Sequence, residues 1–418
     1  MNFETRGRPA RRRLLSDMVR CTAALTTLIF GTTTFAASAS DAPVAIGLLL
    51  SKQGVFSETG QQAARGAMLA VDDVGGKVLG RAVKVDWFDD PDPQTAQQNM
   101  SKLIDTEQVV AVVGGASSSS ALAEAAVAKR SKIPLVVVTG SAQEITGKQC
   151  NRYTFRTFMT VPVASRALAP ALLKKGKRWY FIASNYAFGQ EAYAAMKQQL
   201  VQAGGEEVAY DKLPLGTSDF SSFILKIRQA KPDAVMFALT GNDIRNFVQQ
   251  YVQYGMKDKI PLGDPVLGES TIWSLDKDSL TGLYAKQWQY NDPANSSEEK
   301  QFATRFRAKY GEEPSVVSWD GWMSMRAVLS AIDQGKSTNA ASIVHQLETI
   351  SWHDRSVPTF YRAWDHQLIH QVLVVNARAP GKDKWDTFDI IDKVPANAAD
   401  IDAFYGKQAD SECKLGEL

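Results

Sequence analysis

The chain has 418 residues, of which 44% are hydrophobic and 22% charged, a balance typical of a folded protein rather than a disordered one. Its length provides for two or three domains. The formal net charge is +2, but six arginines against two acidic residues give residues 1–40 a net charge of +4, so the remainder carries −2. A mildly acidic protein is a poor candidate for binding nucleic acid or anionic lipid.

Residues 1–40 are predicted to be a secretory signal peptide. A basic start, RGRPARRRLL, precedes the apolar to neutral stretch CTAALTTLIFGTTTF, and AASAS offers small residues for cleavage before Asp41. The apolar stretch is too short and wrongly flanked for a stable membrane span. We therefore expect an exported, periplasmic protein, with the general and the twin-arginine export routes both open.

Apolar runs and amphipathic segments alternate after the leader. VAIGLLL, RAVKVDWFDD, VVAVVGG and IPLVVVTG are predicted strands, and the segments between them have the apolar spacing of helices, with Asp92 as a helix cap. The apolar runs lack polar alternation, as parallel strands covered on both faces do. This alternation predicts an α/β fold with a doubly wound parallel sheet.

A second series of the same kind begins at RWYFIAS and continues through DAVMFAL and IPLG, which indicates a second lobe. Two further helices, SSEEKQFATRFRAKYG and SWDGWMSMRAVLSAIDQG, follow it, and residues 359–392 alternate as hairpin strands. We predict that lobe 1 comprises residues 41–160 and 286–358. Lobe 2 then comprises residues 161–285 and 359–392, and residues 393–418 form a C-terminal tail.

Two cysteines remain after removal of the leader, Cys150 and Cys413. An even pair in an exported protein predicts a disulfide, here one that ties the tail to the body. The alternative is two buried free thiols.

Four consecutive serines, 117–120, lie between a predicted strand, VVAVVGG, and a predicted helix. One interpretation is a helix N-cap, which needs only one serine. The other is an anion-binding cradle, because free backbone N–H groups and the positive end of the helix dipole attract an anion and serine hydroxyls add neutral donors. The position at the carboxyl end of a central strand, where α/β sheets bind ligands, favours the cradle.

The patterns of several enzyme and metal sites are absent or incomplete. No G-x-S-x-G occurs, and GDPVLGES has the spacing of a P-loop but carries Glu269 where the lysine belongs. His366 and His370 in HQLIH lie in a predicted strand–turn–strand, where this spacing does not bring the two rings onto one metal. We therefore expect a binding protein that is not an enzyme and that has no metal and no cofactor.

The segments IGLLLSKQGVFSETGQQAARGAMLAVDDVGGKVLGRAVKVDWFDDPDPQTA, VVGGASSSSA, VTGSAQEITGKQCN, SNYAFGQE and RAWDHQLIHQVLVV resemble the branched-chain amino acid class of periplasmic solute-binding proteins of ABC importers. The resemblance covers essentially the whole chain after the leader. NYAFG, GKQC and the late cysteine are closer to the branch that binds aromatic and other carboxylates. The resemblance implies a type I periplasmic binding protein fold, with two doubly wound lobes joined by three crossings that close on a ligand.

The resemblance also implies which residues bind. Ser118, with Ser117 and Ser119 beside it, matches the grip on the ligand carboxylate, and Thr139 and Ser141 match a carbonyl and a hydroxyl of the next loop. The remaining residues expected at the cleft are Ser57 and Thr59 on lobe 1, and Tyr186, Phe188, Thr240 and Asp264 on lobe 2.

Asp264 lies at or beside the place where amino-acid binders of this family carry the acidic partner of the ligand's ammonium group. If Asp264 serves in that way, an amino acid fits. If it does not, burial of the ammonium would be costly and an aromatic or aliphatic acid without an amine fits better. We expect a monomer that delivers its ligand to a separate inner-membrane permease. A sensory protein that reports its ligand to a signalling receptor is the alternative, and an amidase is a third class.

Overall fold

The computed structural model describes residues 42–353 and 356–418, so the predicted signal peptide lies outside the described residues. Among those described, no helix combines the length and the apolar character that a membrane crossing requires.

The first sheet is formed by residues 44–156. It contains β1 (Val44–Leu49), β2 (Lys77–Val78), β3 (Arg81–Phe88), β4 (Ala111–Gly114), β5 (Leu135–Val137) and β6 (Thr154–Arg156), with α1 (Ser57–Asp73), α2 (Pro93–Asp105) and α3 (Ser118–Ser131) between the strands. The strand order is β2-β3-β1-β4-β5-β6, and every pair is parallel except β2 with β3. As predicted, Asp92 caps α2, because its Oδ1 accepts the N–H of Thr95 at 2.8 Å.

The second sheet begins after the first crossing of the chain. Its first part contains α4 (Val161–Leu173), β7 (Arg178–Ser184), α5 (Ala187–Gln202), β8 (Glu206–Leu213), α6 (Ser221–Ala230), β9 (Ala234–Ala238), α7 (Asn242–Gln253), β10 (Leu262–Asp264), α8 (Glu269–Trp273) and β11 (Leu283–Lys286). The chain then returns to the first sheet through α9 (Ser297–Tyr310), α10 (Val316–Gly335) and α11 (Ala340–Thr349). Short 3₁₀ turns lie at 143–145, 277–279, 398–400 and 408–410.

The last part of the chain completes the second sheet. β12 (Ser351–Trp352), β13 (Thr359–Tyr361) and β14 (Leu368–Ile369) form a small antiparallel sheet of their own, and β15 (Val372–Ala377), β16 (Phe388–Val394) and α12 (Ile401–Tyr405) follow. The second sheet has the order β16-β15-β11-β10-β9-β7-β8, with only β15 and β16 antiparallel to their neighbours.

The predicted α/β fold with two doubly wound sheets is confirmed. Each sheet has a separate apolar cluster on each of its two faces, as parallel strands in this kind of fold require. The first sheet with its helices is called lobe 1 below, and the second sheet with its helices lobe 2. The residue boundaries of the lobes given above stay a prediction. Within residues 359–392, β13 and β14 lie in the small sheet rather than in the second sheet, because they pair with β12 and with each other.

The chain passes between the two sheets three times, between β6 and α4, between β11 and α9, and between β14 and β15. The predicted disulfide is present, with 5.5 Å between the Cα atoms of Cys150 and Cys413. Cys150 precedes β6 in lobe 1, whereas the tail that carries Cys413 comes from α12, whose Tyr405 is buried in the core of lobe 2. The disulfide is therefore a fourth covalent link between the lobes.

Helices α1 and α10 cross in lobe 1 at glycines. A Cβ atom at Gly66 would lie 1.8 Å from the carbonyl oxygen of Ser318, and one at Gly321 would lie 2.0 Å from the carbonyl oxygen of Ala63. Because these neighbours are backbone atoms of a packed helix, a larger residue at either position forces the helices apart.

We predict that Gly66→Ala lowers the free energy of unfolding by about 1–3 kcal/mol, the usual cost of overpacking. Gly335→Ala in α10 is the control, because its Cβ would meet side-chain atoms that can rotate away, Ser342 Oγ at 2.6 Å and Gln346 Cγ at 3.1 Å, and not backbone. Alanine also has the higher helix propensity. Urea unfolding followed by circular dichroism measures both. Equal stability of the two variants would contradict a tight helix crossing.

Candidate functional site

A narrow cavity of about 60 Å³ lies where the carboxyl ends of the strands of both lobes meet. This is the place where parallel α/β sheets bind ligands, because the loops there converge. Lobe 1 contributes Phe56, Thr59, Ala116, Ser117, Ser118, Thr139, Ser141, Phe158 and Val317, and lobe 2 contributes Tyr186, Phe188, Leu239, Thr240, Gly241, Ile244, Val266, Leu267, Gly268 and Thr271.

Most of the residues predicted from the sequence line this cavity. The eight that do are Thr59, Ser117, Ser118, Thr139, Ser141, Tyr186, Phe188 and Thr240. The other three, Ser57, Ser119 and Asp264, lie outside its lining. Ser57 and Ser119 belong to the first turns of α1 and α3, and Asp264 ends β10.

The serines of the loop between β4 and α3 each have a different role. Ser117 caps α3, because its Oγ accepts the N–H of Ser120 at 3.1 Å, and its own hydroxyl donates to Ser120 Oγ. Ser118 Oγ accepts the N–H groups of Ser141 and Ala142 at 3.2 and 3.1 Å. Since a hydroxyl has two lone pairs and one proton, Ser118 has its proton left to donate to a ligand. The loop is thus both a cap and a set of donors.

Thr139 joins this loop to the next one. Its hydroxyl donates to the carbonyl oxygens of Gly115 and Ala116 at 3.2 and 3.1 Å. Ser141, two residues on, is buried and also lies on the cavity wall. Two loops that follow neighbouring parallel strands are therefore held as one polar surface at the N-terminal end of α3.

The opposite side of the cavity is apolar and aromatic. The rings of Tyr186 and Phe188, on lobe 2, have centroids 5.7 Å apart, and Tyr186 also packs edge-on against Phe56 of lobe 1 at 6.1 Å. Burial raises the pKa of Tyr186, so the phenol stays protonated. Leu239, Leu267 and Phe158 complete this wall.

Three further contacts hold the lobes together around the cavity. Val55 of lobe 1 lies against Gly241, where a Cβ atom would come within 2.1 Å of the Val55 carbonyl oxygen. The N–H of Gln143 donates to both carboxylate oxygens of Glu191 on α5, at 2.8 and 2.9 Å. The N–H of Val316, at the start of α10, donates to Glu269 Oε2 at 2.8 Å. The cleft is therefore closed.

Glu269 is a buried acid and Glu191 a half-buried one, and each has a cation nearby. Glu269 forms a fully buried ion pair with Lys286. Burial raises the pKa of Glu191 to about 7, against the opposing effects of the Gln143 N–H and of the Arg156 charge. Neither residue lines the cavity.

Asp264 is fully buried and does not line the cavity. Its Oδ1 accepts the N–H of Val266 at 2.9 Å, Oδ2 has no hydrogen-bond partner among the described residues, and burial raises the pKa of this carboxyl well above its usual range. Its charge acts on the phenol of Tyr186, which does line the cavity, and its role as an ammonium partner stays a prediction. Among the described residues that line the cavity, none is charged.

The other motifs singled out in the sequence have no role at the cavity. His366 lies in a turn before β14 and stacks on Phe155, while His370 follows β14 and contacts Thr359. No group of three or more potential metal ligands occurs in residues 42–353 and 356–418.

Comparison with known proteins agrees with this architecture. Residues 43–383 match the model of a family described as periplasmic binding protein. The chain belongs to this family. It is 28% identical over 330 residues to the Leu/Ile/Val-binding protein homolog 6 of Brucella melitensis, an alignment that covers 76% of this chain and 83% of the relative.

Solved structures of periplasmic binding proteins share the fold. An amino acid ABC transporter substrate-binding protein from Pseudomonas fluorescens Pf-5 superposes with a TM-score of 0.81 at 24% identity, over 90% of this chain and 99% of that one. A solute-binding protein of an ABC transporter from Rhodopseudomonas palustris BisB5, in complex with 3,4-dihydroxybenzoic acid, has a TM-score of 0.78 at 23% identity, over 85% and 98%.

The residues of this periplasmic binding protein that sequence reasoning missed are mostly apolar. Phe56, Phe158, Leu239, Leu267 and Val317 resemble ordinary core residues in the sequence. The available signal was position, because strand ends and helix starts face the ligand crevice in parallel sheets. Leu239 ends a predicted strand and Leu267 follows one, and Phe56 and Val317 lie at the starts of helices. Phe158 follows β6, which was not among the predicted strands.

We predict that Gly241→Ala prevents full closure. Gly241 has a φ of +51° and no room for a Cβ next to Val55, so alanine should lower ligand affinity at least about tenfold. Small-angle scattering with and without a ligand that stabilises the wild type measures the loss of closure.

Gly255→Ala is the matched control for the backbone strain. Gly255 has a φ of +68° but no atom within 4 Å of its Cβ position. Both variants should lose about 1 kcal/mol or more of stability without ligand. An equal loss of affinity in both would show that strain, and not the contact with Val55, is responsible.

Proposed function

We propose that this protein is the periplasmic solute-binding component of an ABC importer and that it captures an aromatic carboxylate that has no amine. The ligand carboxylate binds at the N-terminal end of α3, where the hydroxyl of Ser118 donates a hydrogen bond to it. The aromatic ring packs against the side chains of Phe56, Tyr186 and Phe188, which line the cavity. The closed protein then delivers the ligand to a separate membrane permease.

The observation that carries the ligand class is the absence of charge from the described cavity lining. A carboxylate is stabilised by neutral donors and by the helix dipole, so it needs no buried cation. An α-ammonium group has no charged partner in this lining, because Asp264 is buried outside it and its Oδ1 accepts the N–H of Val266. Burying an ammonium without a partner costs several kcal/mol, which selects against amino acids.

The apolar half of the cavity supports an aromatic ligand rather than a short polar acid. Tyr186, Phe188 and Phe56 offer ring faces and edges, and aromatic pairs gain about 0.5–1.5 kcal/mol beyond their buried area. The solute-binding protein from R. palustris BisB5, of the same fold, holds a dihydroxybenzoic acid. The name of the Brucella relative points instead to leucine, isoleucine or valine, and the experiment below separates these classes.

The ligand class is tested with pairs that differ only in the amine: 3-phenylpropionate against L-phenylalanine, and 4-methylpentanoate against L-leucine. Benzoate and 4-hydroxybenzoate complete the panel. We expect the acids without an amine to bind at least about 100-fold more tightly than their amino-acid partners, from a cost of several kcal/mol for the ammonium. Titration calorimetry measures the affinities, after a thermal-shift screen in which a ligand at 100 times its dissociation constant stabilises by about 2.7 kcal/mol.

Tighter binding of L-leucine than of 4-methylpentanoate would contradict the proposed ligand class and would favour an amino-acid importer. A bound acid recovered chemically unchanged after long incubation is expected of a binding protein, and conversion of the acid would indicate an enzyme instead.

The carboxylate grip is tested by Ser118→Ala. Loss of a hydrogen bond to a charged group costs about 1.5–3 kcal/mol, so we expect affinity for the best acid to fall about 10- to 150-fold. Ser119→Ala is the matched control, since Ser119 is the next residue in the same helical turn but lies outside the cavity lining. Titration calorimetry compares the two variants, and undiminished affinity of Ser118→Ala would rule out the grip.

A further inference from the structure

Two acidic side chains lie directly behind the proposed carboxylate site. Asp90 follows β3 and Glu124 lies in α3, and the side chain of each is fully buried, with 0% of the residue exposed. In the part of the chain that the structure describes, neither forms an ion pair with a lysine, arginine or histidine. Two unneutralised acids behind an anion site require an explanation, because a negative charge there repels the ligand.

Asp90 holds the loop that forms the site. Its Oδ2 accepts the N–H of Ala116 at 2.9 Å, and its Oδ1 accepts the hydroxyl of Ser51 at 2.6 Å. Its backbone carbonyl accepts the hydroxyl of Ser120 at 3.1 Å. Since Ala116 lines the cavity, only one peptide unit separates the Asp90 carboxyl from the ligand space.

The carboxyl of Glu124, on α3, lies next to that of Asp90. Apart from the carboxyl of Asp90, with which they share a hydrogen bond, its two oxygens have no hydrogen-bond partner among the described residues. Oε2 lies 2.7 Å from the position that a Cβ of Gly114 would occupy. The carboxyls of Glu124 and Asp90 are close enough to affect each other's titration.

The groups that face this pair are otherwise neutral, with one exception. β4 contributes Gly114 and α3 contributes Ser120, while Ser51 comes from the loop after β1. The exception is Asp89, which is half-buried and accepts the N–H of Lys52, and whose negative charge raises the pKa of Asp90 as burial does.

We propose that the pair of Asp90 and Glu124 positions the carboxylate site and couples ligand binding to the uptake of a proton by the pair. This inference rests on the proposed function. A carboxylate that enters the cavity adds a third negative charge in a region with little water, which favours the protonated form of the pair. Binding and protonation therefore assist each other.

The direction of the pH dependence follows from the pKa values of the two acids in the ligand-free protein. Burial raises the pKa of Asp90 to about 7, and burial with the charge of Asp90 raises the pKa of Glu124 well above its usual range. Ligand binding raises the pKa of the pair further. The affinity for the ligand is therefore highest below about pH 7 and falls as the pH rises above it. If one proton is taken up, the fall is at most about tenfold per pH unit.

The test uses benzoate, which stays ionised throughout the range, and the wild-type protein between pH 6 and pH 9. We expect its dissociation constant to rise above pH 7. Calorimetry at pH 7.5 in phosphate and in Tris, which differ in ionisation heat, counts the protons, and we expect uptake of a substantial fraction of one. Benzoate binding with constant affinity and no proton uptake would overturn this inference and leave the proposed function intact. Failure of every acid in the panel to bind would remove both.

Variants assign the proton to this pair. Asp90→Asn should abolish proton uptake and flatten the pH profile. Glu191→Gln is the control, since Glu191 is a half-buried acid that also has a pKa near 7 but contacts Gln143 between the lobes. Proton uptake should persist in Glu191→Gln, whatever its affinity. Its loss there would assign the proton to the contact between the lobes and overturn the proposal, even if Asp90→Asn does not fold.

Discussion

The junction of β4 with α3 is the constraint on which the rest of the site depends. A negative group is to be held in a closed cleft whose described lining carries no cation, so its stabilisation has to come from oriented dipoles. Two serines of this junction have different roles in providing these dipoles. Ser117 satisfies the helix, and Ser118 accepts two N–H groups of the neighbouring loop, so that its proton remains for the ligand. Thr139 then fixes the two loops to each other. The donors are in place before the ligand arrives, which lowers the ordering cost of binding.

Closure brings the other half of the site to this surface. The contacts that join the lobes are short and specific: the close approach of Val55 to Gly241, the carboxylate of Glu191 on the Gln143 N–H, and that of Glu269 on the Val316 N–H. Gln143 lies just beyond Ser141, so one loop both forms the polar wall and receives a contact from the opposite lobe. A shift of this loop upon ligand binding would therefore move the contact between Gln143 and Glu191. The disulfide between Cys150 and Cys413 also restrains the lobes relative to each other. It joins a tail packed on lobe 2 to lobe 1, in addition to the three crossings of the chain.

Much of the fold could be predicted from the sequence, because buried parallel strands are short uninterrupted apolar runs and their helices carry clear caps such as Asp92. The helix α4 was not predicted, although Thr160 and Pro162 mark its start, because its apolar character on all sides hides a helical period. β8 was also missed, since four of its eight residues are charged and it lies at the edge of the sheet. At the site, polar residues at strand ends could be predicted, whereas the apolar wall could not. Nothing in the sequence distinguishes Leu267 or Phe158 from core residues until the lobes are placed together.

Asp264 shows how a local hydrogen bond competes with a binding role. Its carboxyl lies at the end of β10, as an ammonium partner would, but the turn that follows offers it the N–H of Val266 two residues on. That local bond is available in every state of the protein, whereas a ligand is present only part of the time. Once the side chain makes it, burial favours the neutral acid, and a neutral acid stabilises an ammonium group poorly. Behind the serines, the proposed effect of Asp90 and Glu124 on a carboxylate is repulsive unless they carry a proton. The local hydrogen bond of Asp264 thus acts against a positive group in the ligand, whereas protonation of Asp90 and Glu124 removes the repulsion of its carboxylate.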